Sequence, residues 1–179
     1  MDIEKLRFPI GEFKKPDAIS KVDLEEWKLV ILSFPDKLEA EIDELKDSEL
    51  AWIYRPNGWS IKQVVHHCAD SHMNAFIRFK LAITEDSPQI KPYMESLWAE
   101  MEDVIAQPVK DSLMILSGVH SRWNSVMKAM TVEQLKREFI HPEHGRRFSL
   151  EECIGLYAWH CNHHFAHVRQ AIEFKGKFN

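Results

Sequence analysis

The stretch Trp159-His160-Cys161-Asn162-His163-His164-Phe165-Ala166-His167 places four of the chain's ten histidines within eight residues. It reads as part of one helix, capped by Ser149 at its start and ending near Gly176. At about 100° per residue, His160 and His164 project from one side of that helix, and His163 and His167 from another. A second cluster, Val65-His66-His67-Cys68-Ala69-Asp70-Ser71-His72, lies earlier in the chain. Imidazole is the commonest protein metal ligand, and three-ligand sites with an open position are the catalytic type. A pair from the late helix and one histidine from an early helix would make such a site. That requires two helices packed side by side.

Working outward, the remaining segments are also helical. Ser20 reads as an N-cap, with Asp23 at the third position after it, and Leu24, Trp27, Val30, Ile31, Phe34 and Leu38 follow at helical spacing. Pro35 sits inside that pattern and is expected to kink or divide the helix. After the loop Tyr54-Arg55-Pro56-Asn57-Gly58, Ser60 and Gln63 form a capping box for a helix that runs to about Thr84. A long loop follows from Glu85 to Pro108, with a helical piece between Glu95 and Ile105; loops of this length tend to be functional. The third helix spans about Asp111 to Met130, and Thr131 opens a short further turn. Only Arg137 to Ile140 suggests a strand. Four main helices imply an all-α four-helix bundle with short extra helices and a long loop.

Composition narrows the function. At 179 residues and 45% hydrophobic, the chain supports a single domain over 1–179, with residues 1–19 as an irregular N-terminal arm. A net charge of −5 argues against nucleic-acid binding. No apolar run reaches the ~18 residues of a membrane helix, and Met1-Asp2-Ile3-Glu4-Lys5 lacks a signal-peptide core. Cys68, Cys153 and Cys161 show no CxxC spacing, which suggests a reduced, cytoplasmic protein.

Helix geometry alone does not choose between the pairs His160/His164 and His163/His167. In the early helix, His67 falls on a polar stripe with Ser60, Gln63, Ser71, Asn74 and Arg78. That stripe is either a solvated face or the wall of a polar pocket. In the second case Asn74 and Arg78 are candidates to bind an anionic or amide-bearing small molecule, and Asp70 is a candidate base or support for a ligand histidine. His66 and His72 point nearer other sides and read as structural or surface residues. Tyr93 and Trp98, in the long loop, read as packing residues with substrate contact as the alternative.

Several segments together resemble one known family. They are Phe8-Pro9-Ile10-Gly11-Glu12-Phe13, Gly58-Trp59-Ser60, Gln63 to His67, Ala69 to Asn74, Arg78 to Leu81, Pro92-Tyr93 with Trp98, and Gly155 to His160 running on to His167. The chain resembles the DinB-like superfamily, in its YfiT-like branch of metal-dependent hydrolases. That resemblance implies a four-helix bundle holding one divalent metal, zinc or nickel, on His67, His160 and His164, and a homodimer. Three neutral imidazoles leave a position at which water can be activated for hydrolysis. The same position can hold a low-molecular-weight thiol, bacillithiol-like, as a thiolate for S-transfer to electrophiles. A non-enzymatic metal-binding scaffold is the third reading. Structural zinc sites usually close with four ligands, often cysteines, and Cys68 and Cys161 each directly follow a ligand candidate and so face away from it.

Overall fold

The computed structural model describes residues 2–179. In chain order, α1 (Ile3–Arg7), α2 (Lys21–Ile42), α3 (Asp47–Leu50) and α4 (Ile61–Thr84) come first. Next come α5 (Glu95–Trp98), α6 (Glu102–Ala106), α7 (Val109–Ala129) and α8 (Val132–Leu135). A hairpin of β1 (Glu138–His141) and β2 (Arg146–Ser149) leads into α9 (Leu150–Phe174). The protein is mostly helical, and the antiparallel hairpin is the element the periodicity left half-read: β1 was visible, its partner β2 was not.

The long helices begin where their caps dictate. Ser20 and Asp23 exchange side-chain-to-backbone bonds of 3.1 and 2.8 Å, and Ser60 and Gln63 do so at 3.2 and 2.9 Å. Ser149 accepts the Glu152 amide at 3.3 Å. Each such cap is worth about 1 kcal/mol. Pro35 does not divide α2, which runs unbroken through it. Proline lacks an N–H, so the carbonyl four residues back has no helical donor. That carbonyl, Ile31, accepts from His120 on α7 instead.

α2 packs on α7 and α9, and α4 packs on the same two helices. Consecutive long helices α2 and α4 therefore stand diagonally across the bundle, as do α7 and α9. The core between them is apolar: Ile31, Phe34 and Leu38 of α2 meet Val64, Val65 and Phe79 of α4, Leu116, Trp123 and Met127 of α7, and Ile154 and Val168 of α9. Trp123 lies edge-on to Phe79 and Tyr157, with centroids 5.0 and 5.3 Å away. Burying one such side chain contributes roughly 1.5–3 kcal/mol.

The diagonal arrangement makes α4 and α9 direct neighbours, which is what brings the two histidine clusters together. The N-terminal segment is not wholly irregular. Asp2 caps α1 by accepting the Glu4 amide at 3.1 Å, and the segment then lies along α9. Gln170 donates to the Leu6 carbonyl at 3.0 Å, and the Trp159 indole donates to that of Gly11 at 3.0 Å. The helical piece expected at Glu95–Ile105 is two short helices, broken at Ala99–Met101. No helix among the described residues is long and apolar enough to cross a membrane.

Candidate metal centre

His67 reaches inward from the second turn of α4, while His160 and His164 project one turn apart from α9. One ring nitrogen from each of the three lies within 4.8 Å of the others, a group that could hold a metal ion. The Nε2 atoms of His67 and His160 are 3.4 Å apart. Two nitrogens bound at zinc–imidazole distance on a tetrahedral ion stand about 3.3 Å from each other. The side chains present therefore fit a divalent ion, and no cysteine or carboxylate joins the group among the described residues.

The electrostatics suit ligation. Burial lowers the His67 pKa to about 4, with His163 adding a smaller effect in the same direction. Burial likewise holds His160 and His164 well below the usual imidazole range, and the neighbouring histidines push the same way. Neutral imidazoles keep a lone pair for a cation, and so a buried cluster of this kind is poised to bind one. His67 is thus no part of a solvated stripe: it is 7% exposed.

The cluster lines a cavity of about 460 Å³, within the range of small-molecule sites. Ser71, Tyr157, Arg78, Phe139 and Phe148 line it as well, together with Phe8, Tyr54 and Trp59. Trp59 packs 4.7 Å from the His67 ring and stacks at 6.5 Å over His164, and Tyr54 stacks 3.8 Å from His167. These aromatics stand on the loop before α4, whose turn needs glycine at 58. A Cβ there would meet the Arg55 side chain at 2.8 Å. Phe139 and Phe148 are directly paired across the hairpin and stack at 5.7 Å, so β1 and β2 supply the wall that the helices lack.

The remaining sequence candidates separate. Arg78 lines the cavity, and no carboxylate among the described residues is within ion-pair distance of it. Asn74 does not line it; its amide donates to the Asp70 carbonyl of its own helix at 2.9 Å. Asp70 is also absent from the lining and makes no hydrogen bond to a histidine among the described residues. Burial, with Asp103 nearby, raises its pKa to about 6. Tyr93 lines the cavity and burial raises its phenol pKa, whereas Trp98 packs against Tyr93 at 4.4 Å outside it.

His72 is not a surface residue. It is fully buried, 2.7 Å from a ring nitrogen of His120 and 3.0 Å from Nδ1 of His160. His66 is buried too and bonds Ser112 at 2.7 Å. The sequence reading passed over His120, although it falls between Leu116 and Trp123 on the buried face of α7; its place in that apolar stripe was the available signal. The loop aromatics Tyr54 and Trp59 carried no such signal.

Comparisons with known proteins agree with this fold. A model of the DinB superfamily matches residues 33–168. YfiT of Bacillus subtilis is 43% identical over 171 residues, covering 96% of each chain. A relative from Oceanobacillus iheyensis is 43% identical over 169 residues, covering 94% of this chain and 97% of its own, and carries the same provisional designation as a metal-dependent hydrolase. The solved structure of YfiT, described as a probable metal-dependent hydrolase with an unusual four-helix bundle topology, superposes with a TM-score of 0.92 at 42% identity, over 94% of this chain and 97% of that one. By family match, identity over nearly the full length and fold, this chain belongs to the DinB superfamily.

Proposed function

We propose that the chain is a metal-dependent hydrolase in which His67, His160 and His164 hold one divalent ion, zinc or nickel, and Arg78 receives an anionic group of a small-molecule substrate. The observation that carries this reading is the convergence of three neutral imidazoles, without a fourth protein ligand among the described residues, in the lining of a 460 Å³ cavity. A divalent ion bound there supplies Lewis acidity and lowers the pKa of water at its open position. The chain's own residues do the rest. Trp59, Tyr54 and the N-terminal segment shield the histidines from bulk water, which strengthens every interaction within the cavity. Arg78, unpaired with any carboxylate among the described residues, orients the substrate by charge-assisted hydrogen bonds.

One observation favours a second reading, a metal-dependent S-transferase for a low-molecular-weight thiol. Asp70, the carboxylate nearest His67 in sequence, stands outside the cavity lining. Hydrolysis ordinarily calls on a positioned base, whereas a thiol loses its proton on coordination to a divalent ion without one.

The deciding experiment presents zinc- or nickel-reconstituted protein with a panel of small esters and amides, each with and without added thiol. Turnover with water alone supports the hydrolase. Thiol-dependent consumption of chlorodinitrobenzene or a bimane supports the transferase. Neither activity in the fully loaded protein overturns both. In Arg78→Met, loss of one charge-assisted contact raises KM for an anionic substrate by about 10- to 100-fold, while metal content and turnover of a neutral substrate hold. An equal loss on neutral and anionic substrates contradicts the role given to Arg78.

A further inference from the structure

Ten histidines are more than a three-ligand centre uses, and several of the others stand in line behind it. The line starts at a backbone carbonyl. Pro35 has no N–H, so the Ile31 carbonyl lacks its helical donor and takes a hydrogen bond from Nδ1 of His120. A carbonyl only accepts, so His120 carries its proton on Nδ1. With the ring neutral, its Nε2 is a bare acceptor, 2.7 Å from Nδ1 of His72, which must therefore donate. The Nε2 of His72 is then bare in turn, and lies 3.0 Å from Nδ1 of His160. His160 consequently donates through Nδ1 and presents an unprotonated Nε2 to the cluster. One carbonyl decides three tautomers in succession.

A shorter line runs behind the other α9 histidine. Nε2 of His167 donates to the Arg7 carbonyl at 3.0 Å, which leaves its Nδ1 to accept from Nδ1 of His164 at 3.4 Å. His164 is left with a bare Nε2 as well. Both lines end on carbonyls that helical hydrogen bonding leaves free, one within α2 and one at the last residue of α1.

We propose that His72 and His120, with Pro35 behind them, and His167 on the other side, are positioning residues that lock His160 and His164 in the Nδ1–H tautomer and so hold their Nε2 lone pairs ready for a divalent cation. Ligand histidines are commonly backed by a carboxylate or a carbonyl. Here neutral imidazoles stand between ligand and carbonyl, so no anion offsets the charge of a bound cation. A cation held there would keep its full positive charge, which would favour an anionic ligand beside it. This inference rests on the metal-centre reading above.

The test reads tautomers directly. Long-range proton–nitrogen spectra of metal-free, nitrogen-15 histidine-labelled protein at pH 7.5 distinguish Nδ1–H from Nε2–H rings. The expected pattern is Nδ1–H for His72, His120, His160 and His164, and Nε2–H for His167. A wild-type spectrum with His72 or His160 as Nε2–H overturns the proposal. In His120→Phe, the His72 and His160 tautomers become mixed, and zinc affinity measured by chelator competition falls about 10- to 100-fold. His120→Gln, whose amide can both donate to Ile31 and accept from His72, recovers part of that loss. Pro35→Ala restores a rival donor for the Ile31 carbonyl and shifts the spectrum in the same direction as His120→Phe, with helical content retained. Unchanged tautomers and unchanged affinity in His120→Phe and Pro35→Ala contradict the relay. The expected tautomers in a wild type that takes up no zinc or nickel would leave the relay's polarity standing and remove the metal centre instead.

Discussion

Acidifying the metal-free protein from pH 7 to pH 5 should destabilise it by an amount the buried histidines determine. Burial lowers His120 to about 4 in the folded protein, despite its hydrogen bond to the Ile31 carbonyl; the ordinary value is 6.5. Because the folded value is the lower one, the unfolded chain binds more protons throughout the window between about 6.5 and 4, and stability falls as pH drops through it. Above pH 7 neither state is appreciably protonated and the contribution vanishes. For His120 alone, the loss between pH 7 and pH 5 is about 2 kcal/mol. His67 and His163, lowered to about 4, and His167, lowered to about 3, act with the same sign. Asp70, raised to about 6, opposes them by about 1 kcal/mol, and the whole protein still loses more than about 2 kcal/mol, a large share of the 5–15 kcal/mol of a typical domain. Urea unfolding followed by far-UV circular dichroism at the two pH values measures the loss. In His120→Phe the same acidification costs about 2 kcal/mol less than in the wild type. A wild-type midpoint that does not move between pH 7 and pH 5, or an equal drop in His120→Phe, would show that burial does not hold His120 neutral.

Other substitutions follow from packing and capping. In Gly155→Ala the new Cβ lands 2.8 Å from the Trp27 ring, and displacing that ring costs roughly 1–3 kcal/mol, read as a lowered Tm and altered tryptophan fluorescence; an unchanged Tm contradicts it. Ser60→Ala removes the cap of the helix that carries His67 and costs about 1 kcal/mol in urea unfolding, with faster amide exchange in the first turn of α4. Glu152→Gln loses the buried carboxylate that Arg146 meets at 2.8 Å and Lys15 at 3.2 Å, and destabilises the junction of hairpin, N-terminal segment and α9 by about 1–3 kcal/mol. Stability of that variant equal to the wild type at low salt would show that the carboxylate carries no such load.

Local chemistry explains why the four long helices were legible and the site only partly so. Ser20, Ser60 and Ser149 are capping residues in front of strongly periodic apolar stripes, and the helices start where those serines stand. The short elements α1, α3 and β2 are four or five residues each, too short for an apolar stripe to repeat, although Asp2 caps α1 and Glu49 accepts the Lys46 amide at the start of α3. Within the site, helical spacing left His160/His164 and His163/His167 equivalent, because both pairs are one turn apart. What separates them is which face of α9 meets α4, a fact of tertiary packing. The polar stripe of α4 divides for the same reason. His67 and Arg78 face the cavity, while Asn74 turns back onto its own helix. Pro35 is expected from its residue type to kink or divide α2; the helix is not divided there, and the proline releases a carbonyl for a histidine on another helix. No local pattern could show that, since His120 is far away in sequence.

On the reading proposed above, His67 of α4 and His160 and His164 of the adjoining α9 hold one divalent ion. The most direct test of that reading is metal content by mass spectrometry on the purified protein reconstituted with zinc or nickel, together with His67→Ala, His160→Ala and His164→Ala. About one equivalent per chain is expected in the wild type, lost in each variant, with helical content retained. A well-folded wild type that takes up neither metal, or variants that bind as the wild type does, would contradict it.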